Sequence, residues 1–133
     1  MSEPKSKPLH HIGFSHAWEG LTHTFTSHPN FKIHLAISTL ALVLAVYLEI
    51  STLELSILLL CVTLGLAIEL VNTAIESVVN LVTQEWRQSA KLAKDISSGA
   101  MLVTAIGTAV VGILILAPKL ITLISCRLLV VSC

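Results

Sequence analysis

Two glutamates and two asparagines are embedded in an otherwise apolar run, Ala67-Ile-Glu-Leu-Val-Asn-Thr-Ala-Ile-Glu-Ser-Val-Val-Asn80. Glu69, Asn72, Glu76 and Asn80 are spaced by 3, 4 and 4 residues, so on a helix they make one polar stripe along a greasy cylinder. A carboxylate at membrane depth costs roughly 2.5–3.5 kcal/mol on insertion scales. Such a stripe therefore marks a site. Carboxylates and an amide oxygen are hard ligands suited to Mg²⁺, which takes one or two protein carboxylates together with phosphate oxygens. A second carboxylate beside them is placed to accept a proton from a hydroxyl. Downstream stands the one strongly charged segment, with Glu85, Trp86, Arg87, Lys91, Lys94 and Asp95 inside eleven residues. Its lysines and arginine can neutralise phosphates. The stripe and the basic segment together hold the parts of a phosphoryl-transfer site.

These parts need a scaffold, and the composition says which kind. The chain has 133 residues, 54% hydrophobic and 12% charged, with a mean hydropathy of +0.86. A soluble domain would carry about 25% charged residues. The expected fold is an all-α membrane protein of one domain, with an N-terminal amphipathic surface helix and three transmembrane helices. Residues 1–8 are polar, contain two prolines and are expected to be disordered. The domain is expected over 9–118, with the surface helix at 9–27 and spans near 33–50, 54–82 and 97–117. Pro29 disfavours helix at His28 and should break the chain there. Pro118 and Lys119 read as the natural stop of the third span, which leaves 119–133 as an apolar tail without an assigned role. The cysteines, Cys61, Cys126 and Cys133, are odd in number and lack ligand spacing, which argues against a disulfide framework or a zinc site.

Six of the eight basic residues fall before the first span or between the second and third. The positive-inside rule then puts the N-terminus and the 83–95 loop in the cytoplasm. The polar stripe runs toward that side. No cleavable signal peptide is visible, so the first span is expected to act as the insertion signal. There is no Gly-x-x-x-x-Gly-Lys-(Ser or Thr) loop and no Gly-rich dinucleotide fingerprint, so a nucleotide would be held by neither a P-loop nor a Rossmann unit.

The segment Glu69-Leu-Val-Asn-Thr-Ala-Ile-Glu-Ser-Val-Val-Asn80, followed by Ala90-Lys-Leu-Ala-Lys-Asp-Ile-Ser-Ser-Gly-Ala100, resembles the signature of the prokaryotic diacylglycerol kinase/undecaprenol kinase family. Asn30-Phe-Lys-Ile-His34 is similar to the undecaprenol-kinase type. The resemblance covers roughly residues 10–118. It implies a small integral membrane lipid kinase of the bacterial inner membrane, homotrimeric, with sites shared between neighbouring chains. It further implies ATP as co-substrate, Mg²⁺ as cofactor and a membrane lipid alcohol as acceptor. By this resemblance Glu69 is the general base and Glu76 a metal ligand. Asn72 supports the site, and Lys94 and Asp95 contact the nucleotide. Glu85, Trp86 and Arg87 border the adenosine. His16 falls near the nucleotide, while Trp18 and Ser98 fall near the lipid. Two positions depart from the family pattern. His28 stands where the second metal-binding glutamate is usual, and imidazole is a poor ligand for so hard an ion. Asn80 stands where the motif ends in aspartate.

Plainer readings exist for the same residues. The carboxylates could line a proton or ion path in a non-enzymatic membrane protein, and His28 could mark a degenerate family member that binds lipid without turnover. Asp95 could simply cap the third span. Trp18 and Trp86 could be interfacial belt residues. The basic segment speaks against a relay, which has no use for it.

Overall fold

The computed structural model describes residues 13–129 as four helices, α1 (Gly13–Ser27), α2 (Pro29–Tyr47), α3 (Thr52–Val82) and α4 (Gln88–Leu129). No strand occurs among the described residues. The expected disorder of 1–8, and the first turn of the expected surface helix, lie outside them. The last three helices are long and apolar enough to cross a membrane. At 1.5 Å per residue, the 19 residues of α2 reach about 28 Å, close to the hydrocarbon thickness.

α1 ends where Pro29 forbids it to continue. His28 takes an extended conformation (φ −113°, ψ 107°) and Pro29 occupies the first turn of α2. α2 thus begins four residues before the expected 33. Lys32 stitches the break, donating from Nζ to the Thr26 carbonyl at 3.1 Å and lying 5.8 Å from the centre of the Phe25 ring. The apolar stripe of α1, Phe14, Trp18, Leu21 and Phe25, is exposed. Thr24, on its other side, is buried. This is the arrangement of an interfacial helix, its apolar edge turned away from its own bundle.

α2 closes with the backbone of a Schellman motif: Glu49 N–H donates to Val46 O (3.1 Å) and Ile50 N–H to Ala45 O (3.3 Å). The left-handed position belongs to Glu49, at φ 51°. Two residues later Ser51 opens α3 with a capping box. Its side chain accepts from the Glu54 N–H, and the Glu54 carboxylate accepts from the Ser51 N–H at 2.8 Å.

α3 and α4 pack antiparallel along a seam of small residues. Gly112 brings α4 against Leu58, which is 1% exposed, and Thr108 Oγ1 donates to the Cys61 carbonyl at 3.4 Å. Small residues permit this approach in a membrane, where van der Waals packing and hydrogen bonds between helices hold them together.

Three expectations require correction. The helix that carries the third span starts at Gln88, because Gln88–Asp95 is rich in good helix formers and extends the apolar helix by a polar turn or two. Asp95 is therefore interior to the helix and does not cap it. Pro118 does not stop α4, which continues to Leu129. A proline inside a membrane helix is tolerated where neighbouring groups re-satisfy the freed backbone. The freed group here is the Leu114 carbonyl, four residues before Pro118, and Lys119, Thr122 and Leu123 share a cavity with Tyr47, Leu48 and Glu49 of the α2–α3 turn. Finally, Cys126 is disulfide-bonded.

Candidate functional site: a carboxylate stripe between two cavities

The helical period does place Glu69, Asn72, Glu76 and Asn80 on one stripe, about 16 Å long at the helical rise. Burial grades along it. Glu69 is 3% exposed and Asn72 6%, Glu76 is half-buried and Asn80 is exposed. Asn72 Nδ2 donates to Glu76 Oε1 at 3.3 Å, which aims its Oδ1 the other way, and that oxygen is buried without a hydrogen-bond partner. Native structures rarely leave such an atom unsatisfied, because its desolvation costs about 1–3 kcal/mol. Glu69 makes no hydrogen bond among the described residues. Its carboxylate lies within electrostatic reach of Glu76 and of two imidazoles from the α2 side, His34 and His28.

Along α3 the stripe lies between two cavities of opposite character, and of its four residues only Asn80 lines one of them. Toward the α2–α3 turn, α2, α3 and α4 enclose an apolar space of about 510 Å³, walled by residues such as Ile37, Leu58, Val62, Leu66, Met101 and Ile113. His34 is the one ionisable side chain in that wall. Toward the other end, the last turn of α3, the 83–87 loop and the first turns of α4 frame about 480 Å³. Asn80, Glu85, Trp86, Arg87, Lys91 and Lys94 line it. Lys94 Nζ donates to Asn80 Oδ1 at 2.7 Å, and so ties the basic start of α4 to the end of the carboxylate stripe. Arg87 Nη2 donates to Glu85 Oε2 at 3.4 Å, and Lys91 pairs with Asp95 one turn on.

Within one chain the fold therefore gathers Glu69, Asn72 and Glu76 on α3, and Glu85, Trp86, Arg87 and Lys94 at the loop cavity. Asp95 joins through Lys91. His28 lies near His23, ring centres 6.3 Å apart and tilted. Other expected residues are not brought to either cavity by their own chain. His16 and Trp18 are exposed on α1, with His16 Nδ1 3.6 Å from the Glu19 carboxylate. Ser98 is exposed on α4, and the buried serine there is its neighbour Ser97, which donates to the Lys94 carbonyl. The sequence put Asn80 on the stripe without a role of its own, and His34 only in the Asn30–His34 segment. The signal for His34 was its position one turn into an apolar helix. The signal for Asn80 was its place as the fourth member of the stripe.

The profile of the family described as prokaryotic diacylglycerol kinase matches residues 15–116, most of the chain. The chain belongs to the prokaryotic diacylglycerol kinase family. It is 37% identical over 107 residues to the undecaprenol kinase of Bacillus subtilis, covering 80% of this chain and 87% of that one. It is also 37% identical over 113 residues to a diacylglycerol kinase of Synechocystis sp., covering 84% of this chain but 65% of that longer protein. The Escherichia coli diacylglycerol kinase is 30% identical over 91 residues, with 68% and 75% covered. The stripe, the loop cavity and the α3–α4 seam all fall inside the family match. The last turns of α4, beyond residue 116, fall outside it.

Proposed function

We propose that this member of a lipid kinase family transfers the γ-phosphoryl of Mg-ATP to the primary hydroxyl of a membrane lipid, undecaprenol or diacylglycerol, at the cytoplasmic face of the inner membrane. The observation behind this reading is the order along α3. An apolar cavity, two carboxylates without an ion pair among the described residues and a basic cavity follow one another, with the Lys94–Asn80 hydrogen bond at the far end. A hydrocarbon chain suits the first, an anionic nucleotide suits the last, and the chemistry belongs between.

In this reading the lipid hydroxyl enters beside Glu69, whose buried carboxylate takes the proton as the oxygen bonds to the γ-phosphorus. The bond from that phosphorus to the β-bridging oxygen breaks and ADP departs. Burial holds Glu69 away from competing water, and Lys94 offsets charge on the phosphates. The donor set fits Mg²⁺. Glu76 offers a half-buried carboxylate, and Asn72 Nδ2 holds it from one turn away, its own Oδ1 aimed elsewhere without a partner. No group of three or more acidic, histidine or cysteine ligands is assembled among the described residues. That suits an ion which completes its shell with phosphate oxygens and water. Mg²⁺ would screen the phosphates there. His28 is a poor ligand for it, and Glu76 is the stronger candidate.

His16, Trp18 and Ser98 enter the same reading only through a homotrimer in which a neighbouring chain completes the site. Asn30-Phe-Lys-Ile-His34 favours undecaprenol. Overall identity does not, because the undecaprenol kinase and the Synechocystis diacylglycerol kinase match equally well. The deciding experiment incubates the purified protein in detergent micelles with radiolabelled ATP, Mg²⁺ and a panel of lipid alcohols, and separates products by thin-layer chromatography. Label on undecaprenol or diacylglycerol is expected. No label on any lipid would end the reading. Cross-linking in the same micelles is expected to stop at trimer.

A further inference from the structure

Three cationic side chains line the loop cavity, and they are not equivalent. Arg87 faces the carboxylate of Glu85, and Lys91 faces that of Asp95. Lys94 alone is held by a neutral group, the amide of Asn80, at 2.7 Å. An ammonium has donors and no acceptor, so the amide must present its oxygen to Lys94. Its NH₂ group is thereby turned elsewhere, with both N–H donors free of any partner among the described residues. The Asn80 backbone is fixed as well, since its carbonyl accepts from Gln84 Nε2 at 2.7 Å. The result is a full positive charge beside two free N–H donors on the wall of a cavity of about 480 Å³.

We propose that Asn80 is a binding and positioning residue for the phosphates of the nucleotide. It holds Lys94 in place without neutralising it, and it adds its own N–H to a phosphate oxygen. A carboxylate at this position would do the opposite on both counts: it would pair with Lys94 and would stand as a like charge beside the phosphates. The neutral side chain here, where the family motif ends in aspartate, therefore tunes the site toward tighter anion binding. The inference rests on the kinase reading above.

The test measures binding of Mg²⁺ with a β,γ-methylene analogue of ATP to the purified full chain by calorimetry, for wild type, N80D and N80A, together with the KM for ATP and for lipid. N80D is expected to bind about tenfold more weakly, and N80A about threefold. The KM for ATP should rise in step, while the KM for lipid stays within about twofold. N80D binding as tightly as wild type would overturn the inference and leave the kinase reading intact. Should N80D lose its helical circular dichroism, N80A decides by the same criterion. A wild-type protein that binds no nucleotide would bring down both.

Discussion

The two ends of the α3–α4 pair use polar groups in opposite ways. At the α2–α3 turn they are spent on the fold. Ser51 and Glu54 satisfy each other in a capping box, Glu49 and Ile50 close α2, and Arg127 Nη2 reaches the Tyr47 hydroxyl at 3.4 Å. At the loop end they are held back. Glu69 is buried with no hydrogen bond, Asn72 Oδ1 has no partner, and the Asn80 NH₂ is free. Polar groups that stabilise a fold are satisfied within it. A buried polar atom without a partner, as Asn72 Oδ1 is, lowers stability. The same residue types, glutamate and a small polar neighbour, thus serve architecture at one end and, in the proposed reading, chemistry at the other.

This contrast breaks if substitutions at the two ends have interchangeable effects. The largest effect is expected from Glu69→Gln, which keeps the shape and removes the base. Turnover should fall by about 10²–10⁴-fold, with thermal stability in detergent unchanged or higher. Retention of wild-type kcat would remove Glu69 as base. Asn72→Leu takes away the orphaned oxygen and is expected to stabilise the fold by about 1–3 kcal/mol while abolishing phosphoryl transfer. A fall in melting temperature would show that Asn72 serves packing. Ser51→Ala should do the reverse, costing about 1 kcal/mol through the lost cap and leaving KM and kcat alone. The smallest shift is expected from Glu49→Gly. Relief of the left-handed backbone at φ 51° should stabilise by about 1 kcal/mol or less, again with unaltered kinetics. A kinetic change in either of these last two would mean that the turn end also takes part in the reaction.

Much of this was legible in the residues. The 3, 4, 4 spacing dictated the stripe, because the helical period allows no other placement on a helix. Pro29 dictated the break after α1, since it forbids helical backbone at His28. Helix limits were less legible. A window of hydropathy sees the apolar part of α4 and misses its charged beginning, and Pro118 looks like a terminator although α4 runs on past it to line a cavity with the α2–α3 turn. Ser97 and Ser98 are adjacent in sequence, and only the packing of α4 on α3 decides that the first is buried.

By itself, then, the sequence determined the class of the protein, its three apolar helices, the amphipathic α1 and the line of Glu69, Asn72, Glu76 and Asn80, because local periodicity and transfer free energy suffice for each. The tertiary structure decided which cation meets which partner. Lys94 lies fourteen residues from Asn80, and nothing local brings an ammonium on one helix to an amide on another. The α3–α4 seam does that: small residues let the helices close, their closure fixes the register, and the register leaves Lys94 on a neutral amide while Arg87 and Lys91 stay paired with acids on their own segments.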